Sequence, residues 1–182
     1  GPSFRQHRES LASQHREALA GEHRMRVHAV QRGCARRVRE ERRLAEPRKH
    51  IGFLFQMSAL FDSMNVENNV SFPLSEHTEL TLEERRSRVA DALRTVGLDG
   101  IQQKLPSELS GGQRKRVALA RAIILKPDLI LYDEPTTGLD PVTSAIIDDL
   151  MLRMQRQLGV TGIVITHDMR SAYTVGTRIA ML

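Results

Sequence analysis

Residues 109–113, Leu-Ser-Gly-Gly-Gln, constrain this chain more than any other stretch. They open a basic, helix-forming run over residues 114–125. It leads through the turn pair Pro127-Asp128 into Leu129-Ile130-Leu131-Tyr132 and two adjacent carboxylates, Asp133 and Glu134. Ser110, Gly111 and Gly112 leave backbone N–H groups open at a helix start, where unpaired amides and the positive end of the helix dipole make an anion site. Glycine there lets phosphate oxygens approach the backbone closely. The apolar run is of strand length and delivers Asp133 and Glu134 to a strand's carboxyl end, where open α/β sheets bind ligands. One acid can hold Mg²⁺ and the other a water, so this order of parts handles a nucleoside triphosphate. A lone Ser-Gly-Gly reads as a plain turn; followed by a basic helix, an apolar strand and Asp-Glu-Pro-Thr it does not.

The rest of the chain from Ile51 onward is regular. Residues 51–55 read as a buried strand ending at Gln56, followed by a loop carrying Met57, Leu60, Phe61 and Met64. Those side chains either pack in a core or, exposed on a connecting loop, form a docking surface. Thr81-Leu82-Glu83-Glu84 is a capping box, and Leu82, Val89, Leu93 and Val96 follow at helical spacing until Gly97 stops the helix. Residues 148–158 read as a helix closed by Gly159, residues 161–166 as another buried strand, and His167 stands at its end. A lone histidine is usually structural; this one follows an apolar strand. Residues 178–182 read as a further strand.

Composition narrows the class. Among 182 residues no apolar run approaches the roughly 20 needed to cross a bilayer, so membrane association has to come through a partner. Arg and His interrupt every candidate for a signal peptide. The single cysteine, Cys34, excludes an internal disulfide and is compatible with a reducing cytosol. The net charge of +5 is unevenly placed: residues 1–50 hold thirteen of the 27 Lys and Arg but only six of the 22 acids, with no Ile, Thr, Asn or Asp. Two compositions meet near Arg48.

Residues 109–140 resemble the ATP-binding cassette (ABC) ATPases, the nucleotide-hydrolysing subunits of ABC transporters, with signature motif, Walker B strand, adjoining Glu and D-loop all at family spacing. The resemblance covers residues 49–182. Residues 51–66 and Phe72-Pro73-Leu74 look most like the ATPase of bacterial phospholipid-transport systems that maintain outer-membrane lipid asymmetry. It implies an α/β fold, a P-loop NTPase (RecA-like) core with a helical subdomain inserted at about residues 75–125. It also implies a head-to-tail dimer with ATP between the subunits and a membrane-spanning permease partner. Nucleic acid is not expected as a partner. The implied location is cytoplasmic, on the inner face of the bacterial inner membrane. In the implied site Asp133 ligands Mg²⁺, Glu134 activates or orients the attacking water, and His167 contacts the γ-phosphate. Gln56 senses Mg²⁺ and water. Ser110, Gly111, Gly112 and Gln113 bind the partner subunit's ATP, and Asp140 bridges the dimer. The Thr-His-Asp context of His167 matches the family's H-loop, and the segment after Gln56 faces the permease. Family members continue past residue 182, so C-terminal strands and any regulatory tail are expected beyond it.

The segment 1–48 departs from the family. A cassette needs G-x-x-x-x-G-K-[ST], whose amides cradle phosphates while Lys reaches the β and γ groups. The chain begins Gly1-Pro2-Ser3 as many members do at that loop, then has Gln6, His7 and Arg8 where Gly, Lys and Ser/Thr belong. The distance from Gly1 to Gln56 is close to the family's spacing. Residues 4 to about 47 therefore read as a stretch translated out of frame between two compensating shifts, which the coding nucleotides decide. The alternatives are a solvated basic helix or an arm binding nucleic-acid phosphates, although Phe4 is its only aromatic residue. Without the phosphate loop the chain as written is expected to be inactive, a dead cassette or binding module. A soluble cassette acting on ribosomes or DNA would keep the same motifs, but the second cassette or the long coiled coil of such proteins is not visible.

Overall fold

The chain divides into two units after Glu46, and the computed structural model describes residues 49–181. The reading of residues 1–48, phosphate-loop region included, lies outside the described residues.

Three apolar runs become three parallel strands, β1 (Ile51–Leu54), β2 (Leu129–Asp133) and β3 (Thr161–Ile165), side by side in that order. Leu54 lies opposite Tyr132, and Tyr132 opposite Val164. Parallel neighbours need long crossovers, and helices supply them: α1 (Val66–His77), α2 (Leu82–Thr95) and α3 (Gly111–Ile123) between β1 and β2, and α4 (Pro141–Leu158) between β2 and β3. A short α5 (Met169–Val175) follows β3. The first three helices pack on one another, and α3 also lies against β1. The approach is close at Gly52, where an added Cβ would fall 2.6 Å from the Ala122 carbonyl oxygen.

Leu54, Ile130, Val117, Leu119, Ile147 and Leu150 form the centre of the core and are fully or almost fully buried. The other sheet face, with Phe53, Ile163 and Ile165, is exposed. Val89 and Leu93 of α2, and Val96 at its C-terminal cap, are buried as their spacing predicts, whereas Leu82, at the first turn, is 54% exposed. The Thr81–Glu84 capping box forms in both directions.

Several boundaries move for local reasons. β1 ends at Leu54 rather than Phe55, because the chain turns at once: the Ser58 amide donates to the Phe55 carbonyl at 2.9 Å. α3 starts three residues earlier than the basic run, since Ser110 caps it. α4 starts at Pro141 rather than residue 148; the Asp140 carboxylate accepts from the Val142 and Thr143 amides, and proline fits the first helical position. Its end on Gly159, at φ 67°, is as read from the sequence. Residues 178–181 join no ladder and are exposed, which corrects the strand expected there: an apolar run is a strand only where a neighbour takes its backbone hydrogen bonds.

The sequence patterns did not anticipate α1. Pro73 sits inside it and polar Asn68 and Asn69 interrupt its apolar spacing. Asn69 explains itself once the tertiary structure is seen. It is fully buried, accepts from the Phe61 amide at 2.8 Å and donates to the carbonyls of Phe61, Met64 and Asn65 at 3.0, 2.9 and 3.1 Å. A buried amide with such a full set of partners holds the loop after Gln56 in one shape.

Candidate active site

The carboxyl ends of the three strands converge. β1 leads to Gln56, β2 ends on Asp133 with Glu134 next, and β3 leads through Thr166 to His167. The Glu134 amide donates to the Ile165 carbonyl at 2.9 Å, which carries the β2–β3 pairing one residue beyond the strands.

Glu134 is the centre of the cluster. One carboxylate oxygen accepts from the His167 ring Nδ1 at 2.8 Å and from the His167 amide at 3.1 Å; the other accepts from the Thr137 hydroxyl at 2.6 Å. Burial alone would raise the Glu134 pKa, but the Thr137 hydroxyl together with the ring, charge and amide of His167 holds it below the ordinary carboxylate range. The Glu134 hydrogen bond and charge in turn raise His167, against a small opposing effect of burial. The ion pair is therefore complete between these two displaced values. It is lost as pH falls through the lowered Glu134 value or rises through the raised His167 value. Followed by NMR in the full chain, the His167 ring should titrate above the usual value of about 6.5, and Glu134→Gln should bring it down. A midpoint that the substitution leaves unmoved would show that the two side chains do not pair in solution.

The backbone of Glu134 is also unusual. Its φ is 46°, in the left-handed region, as are Ser58 (63°) and Ala59 (46°) just beyond Gln56. Such non-glycine residues cost of order 1–3 kcal/mol each and persist where their surroundings over-determine them. Two cations of α3 do so here. Lys115, 4% exposed, donates from Nζ to the Gln56 carbonyl at 2.5 Å and the Glu134 carbonyl at 3.0 Å. Arg121 donates to the Ser58 carbonyl at 2.9 Å and lies over the Phe61 ring, 5.8 Å from its centroid. Burial lowers the Lys115 pKa, and the charges of Asp133 and Glu134 oppose that shift.

The site residues named from sequence fall in two groups. Gln56, Asp133, Glu134 and His167 gather at the strand ends, although the contact from Gln56 comes through its backbone and its side chain is exposed. Ser110, Gly111, Gly112 and Gln113 start α3. The Ser110 hydroxyl accepts from the Gln113 amide at 3.2 Å while the Gln113 side chain accepts from the Ser110 amide at 2.9 Å. The Gln113 amide is thus spent on capping, and those of Gly111 and Gly112 are the other donors of the first turn. Asp140 is exposed and caps α4, also accepting from the Thr143 hydroxyl at 2.5 Å. Sequence reasoning missed Lys115, Arg121 and Thr137. Only for Lys115 was there a signal: it sits three residues after Gly112 and four before Leu119, on the buried stripe of the helix.

Among the described residues no three His, Cys, Asp or Glu side chains cluster as a metal cage. Asp133, the last residue of β2, is half-buried beside Glu134.

The family model described as ABC transporter matches residues 11–137. The chain belongs to that family. Among curated relatives, it is 46% identical over 139 residues to the "Probable ribonucleotide transport ATP-binding protein mkl" of Mycobacterium leprae, covering 76% of this chain and 40% of that one. It is 47% identical over 133 residues to the Intermembrane phospholipid transport system ATP-binding protein MlaF of Escherichia coli K12, covering 73% of this chain and 49% of that one. The chain thus spans half or less of the length of these relatives. Of solved structures, the post-hydrolysis dimer of the ATP-binding cassette MJ0796, bound to ADP and Pi, superposes with a TM-score of 0.66 at 36% identity, over 72% of this chain and 59% of that one. The fold is accordingly that of an ABC cassette of the P-loop NTPase type.

Proposed function

We infer that this chain is the core of the ATP-binding and ATP-hydrolysing subunit of an ABC transporter, powering phospholipid transport. The observation that carries the reading is the Glu134 carboxylate, held at the sheet's carboxyl edge by His167 and Thr137 and adjacent to Asp133. Its similarity to MlaF, named for intermembrane phospholipid transport, supports the lipid branch; the similar match to mkl, named for ribonucleotide transport, makes the cargo the part to test.

In this reading Glu134, as a carboxylate, accepts a hydrogen bond from the attacking water and orients or activates it. His167, paired to the same carboxylate, directs its remaining ring nitrogen toward the γ-phosphate. Asp133 and Gln56 would hold Mg²⁺, which supplies charge neutralisation for phosphoryl transfer when bound. Ser110 to Gln113 meet the ATP of a second, head-to-tail subunit, and Asp140 bridges the two. A dimeric form of the similar cassette MJ0796 supports the pairing.

The second reading, a dead cassette, rests on the sequence alone, with Gln6, His7 and Arg8 standing where a phosphate loop has Gly, Lys and Ser/Thr. Calorimetry separates the two. The chain as written should show no Mg-ATP site tighter than millimolar, about −4 kcal/mol, while a loop-restored form carrying an in-frame G-x-x-x-x-G-K-[ST] segment should bind and hydrolyse ATP. Failure of the restored form would leave the binding-module reading; a micromolar site in the original would mean another segment replaces the loop.

No helix among the described residues is long and apolar enough to cross a membrane, and a peripheral place on the inner membrane through a permease follows from the transporter reading. The loop after Gln56 is the proposed docking element, and its residues differ in character. Met57 is 86% exposed, whereas Phe61 packs on Phe72 with ring centroids 5.0 Å apart and Met64 is half-buried. Met57→Ser should therefore weaken co-purification with the permease by about tenfold, since burying such a side chain is worth roughly 1.5–3 kcal/mol, with the melting temperature unchanged. Phe61→Ser should lower the melting temperature. A large melting loss at Met57 would make it a core residue and remove the docking argument.

A further inference from the structure

Lys115 belongs to the signature helix, yet it spends its charge on the backbone of the opposite end of its own subunit's site. Its Nζ donates to the Gln56 carbonyl, 59 residues away in sequence, and to the Glu134 carbonyl, 19 residues away. The Gln56 carbonyl lies two residues before the left-handed, non-glycine pair Ser58–Ala59, and Glu134 is itself left-handed. A buried ammonium donating to two carbonyls makes charge-assisted bonds that are strong in a low dielectric and costly to leave unmade. It is also only five residues from Ser110, the cap of the same helix.

We propose that Lys115 is a positioning residue, through which the helix that meets the neighbouring subunit's nucleotide fixes the backbone of Glu134 and of the Gln56 loop. This rests on the reading of Glu134 as the residue that handles water. A shift of α3 when the Gly111 and Gly112 amides engage an anion is carried by the Lys115 side chain to both carbonyls at once. The two hydrolytic sites of a dimer are thereby joined within one subunit by one side chain.

Amide hydrogen exchange on the full chain, without nucleotide, tests this. The reporters are the amides of Ser58, Glu134 and Thr137, which donate to Phe55, Ile165 and Glu134 carbonyls, with the amides of α2 as the control. Lys115→Met keeps the stem and volume but removes every donor; Lys115→Gln is shorter and more polar but retains an N–H₂ group. If donation is the role, the reporter amides should exchange roughly tenfold or more faster in the Met variant, with the Gln variant between it and the natural chain and α2 unchanged. If packing is the role, the order inverts, since a buried apolar Met is tolerated better than Gln. The inverted order, an unmoved set of reporters, or a rise spread equally over α2 overturns the proposal. Should Met prevent folding, Gln is read against the natural chain with the same three reporters. Because no nucleotide is involved, absent hydrolysis in the loop-restored form would sink the functional reading and leave this ordering to decide Lys115. A flat ordering beside active hydrolysis would sink Lys115 alone.

Discussion

Glu134→Gln should lower ATP turnover of the loop-restored chain by roughly 10²- to 10⁴-fold, the range for loss of a general base, while leaving nucleotide binding intact. The substitution is nearly isosteric. An amide oxygen can still accept from the His167 amide and ring, and the amide group still meets the Thr137 hydroxyl, so the hydrogen-bonded frame around residue 134 survives. What is lost is a carboxylate able to take a proton or polarise a water. The variant should consequently accumulate as an ATP-bound dimer, visible as a doubled mass in the presence of Mg-ATP. Phosphate-release kinetics together with sizing checks both halves of the expectation; turnover equal to that of the parent would move the catalytic role away from Glu134.

Ser110→Arg should reduce ATP-dependent dimerisation and hydrolysis together, by an amount on the order of 10²-fold, as for loss of a donor to charge on a transferring group. Ser110 lies at an exposed helix start, where its hydroxyl caps the Gln113 amide. Arginine removes the cap, a local cost of about 1 kcal/mol, and places a bulky cation over the Gly111 and Gly112 amides. Because the motif is read as acting on the other subunit's ATP, mixing decides the matter. A heterodimer of Ser110→Arg with a subunit defective only in its phosphate loop has one composite site with both defects and one with neither, so activity should partly return. Independent activity of each intact half as a monomer, in a cross-linked heterodimer, would end the trans assignment.

Local chemistry made much of this protein legible before any tertiary structure. Ser110 followed by two glycines and Gln113 specifies a capped helix start from four consecutive residues, and Thr81 with Glu84 specifies another, because a capping box closes within one turn. Leu129-Ile130-Leu131-Tyr132 could only be a strand or a buried helix segment, and its length and the flanking Pro127-Asp128 chose the strand. The family resemblance then assigned roles to Asp133, Glu134 and His167, and the tertiary structure brings Glu134 and His167 to 2.8 Å of each other.

What the sequence could not state are the features whose cause lies far along the chain. α1 forms despite Pro73 and two asparagines because Asn69 finds four partners in the preceding loop and Val66, Val70 and Leu74 find a core. Residues 178–181 have a strand's composition without a strand's neighbour. Phe61 and Met57 look alike in a loop, yet Phe61, 41% exposed, has Phe72 and Arg121 to pack against and Met57 is 86% exposed. Lys115 is one basic residue in a basic run; that it turns inward while Arg114 stays exposed depends on two carbonyls delivered by β1 and β2. Capping and strand runs are decided by neighbours within a turn or two, so the sequence by itself determined them. The left-handed backbone at Glu134, and the cation that holds it, exist only where three distant segments meet, and only the tertiary structure decided those.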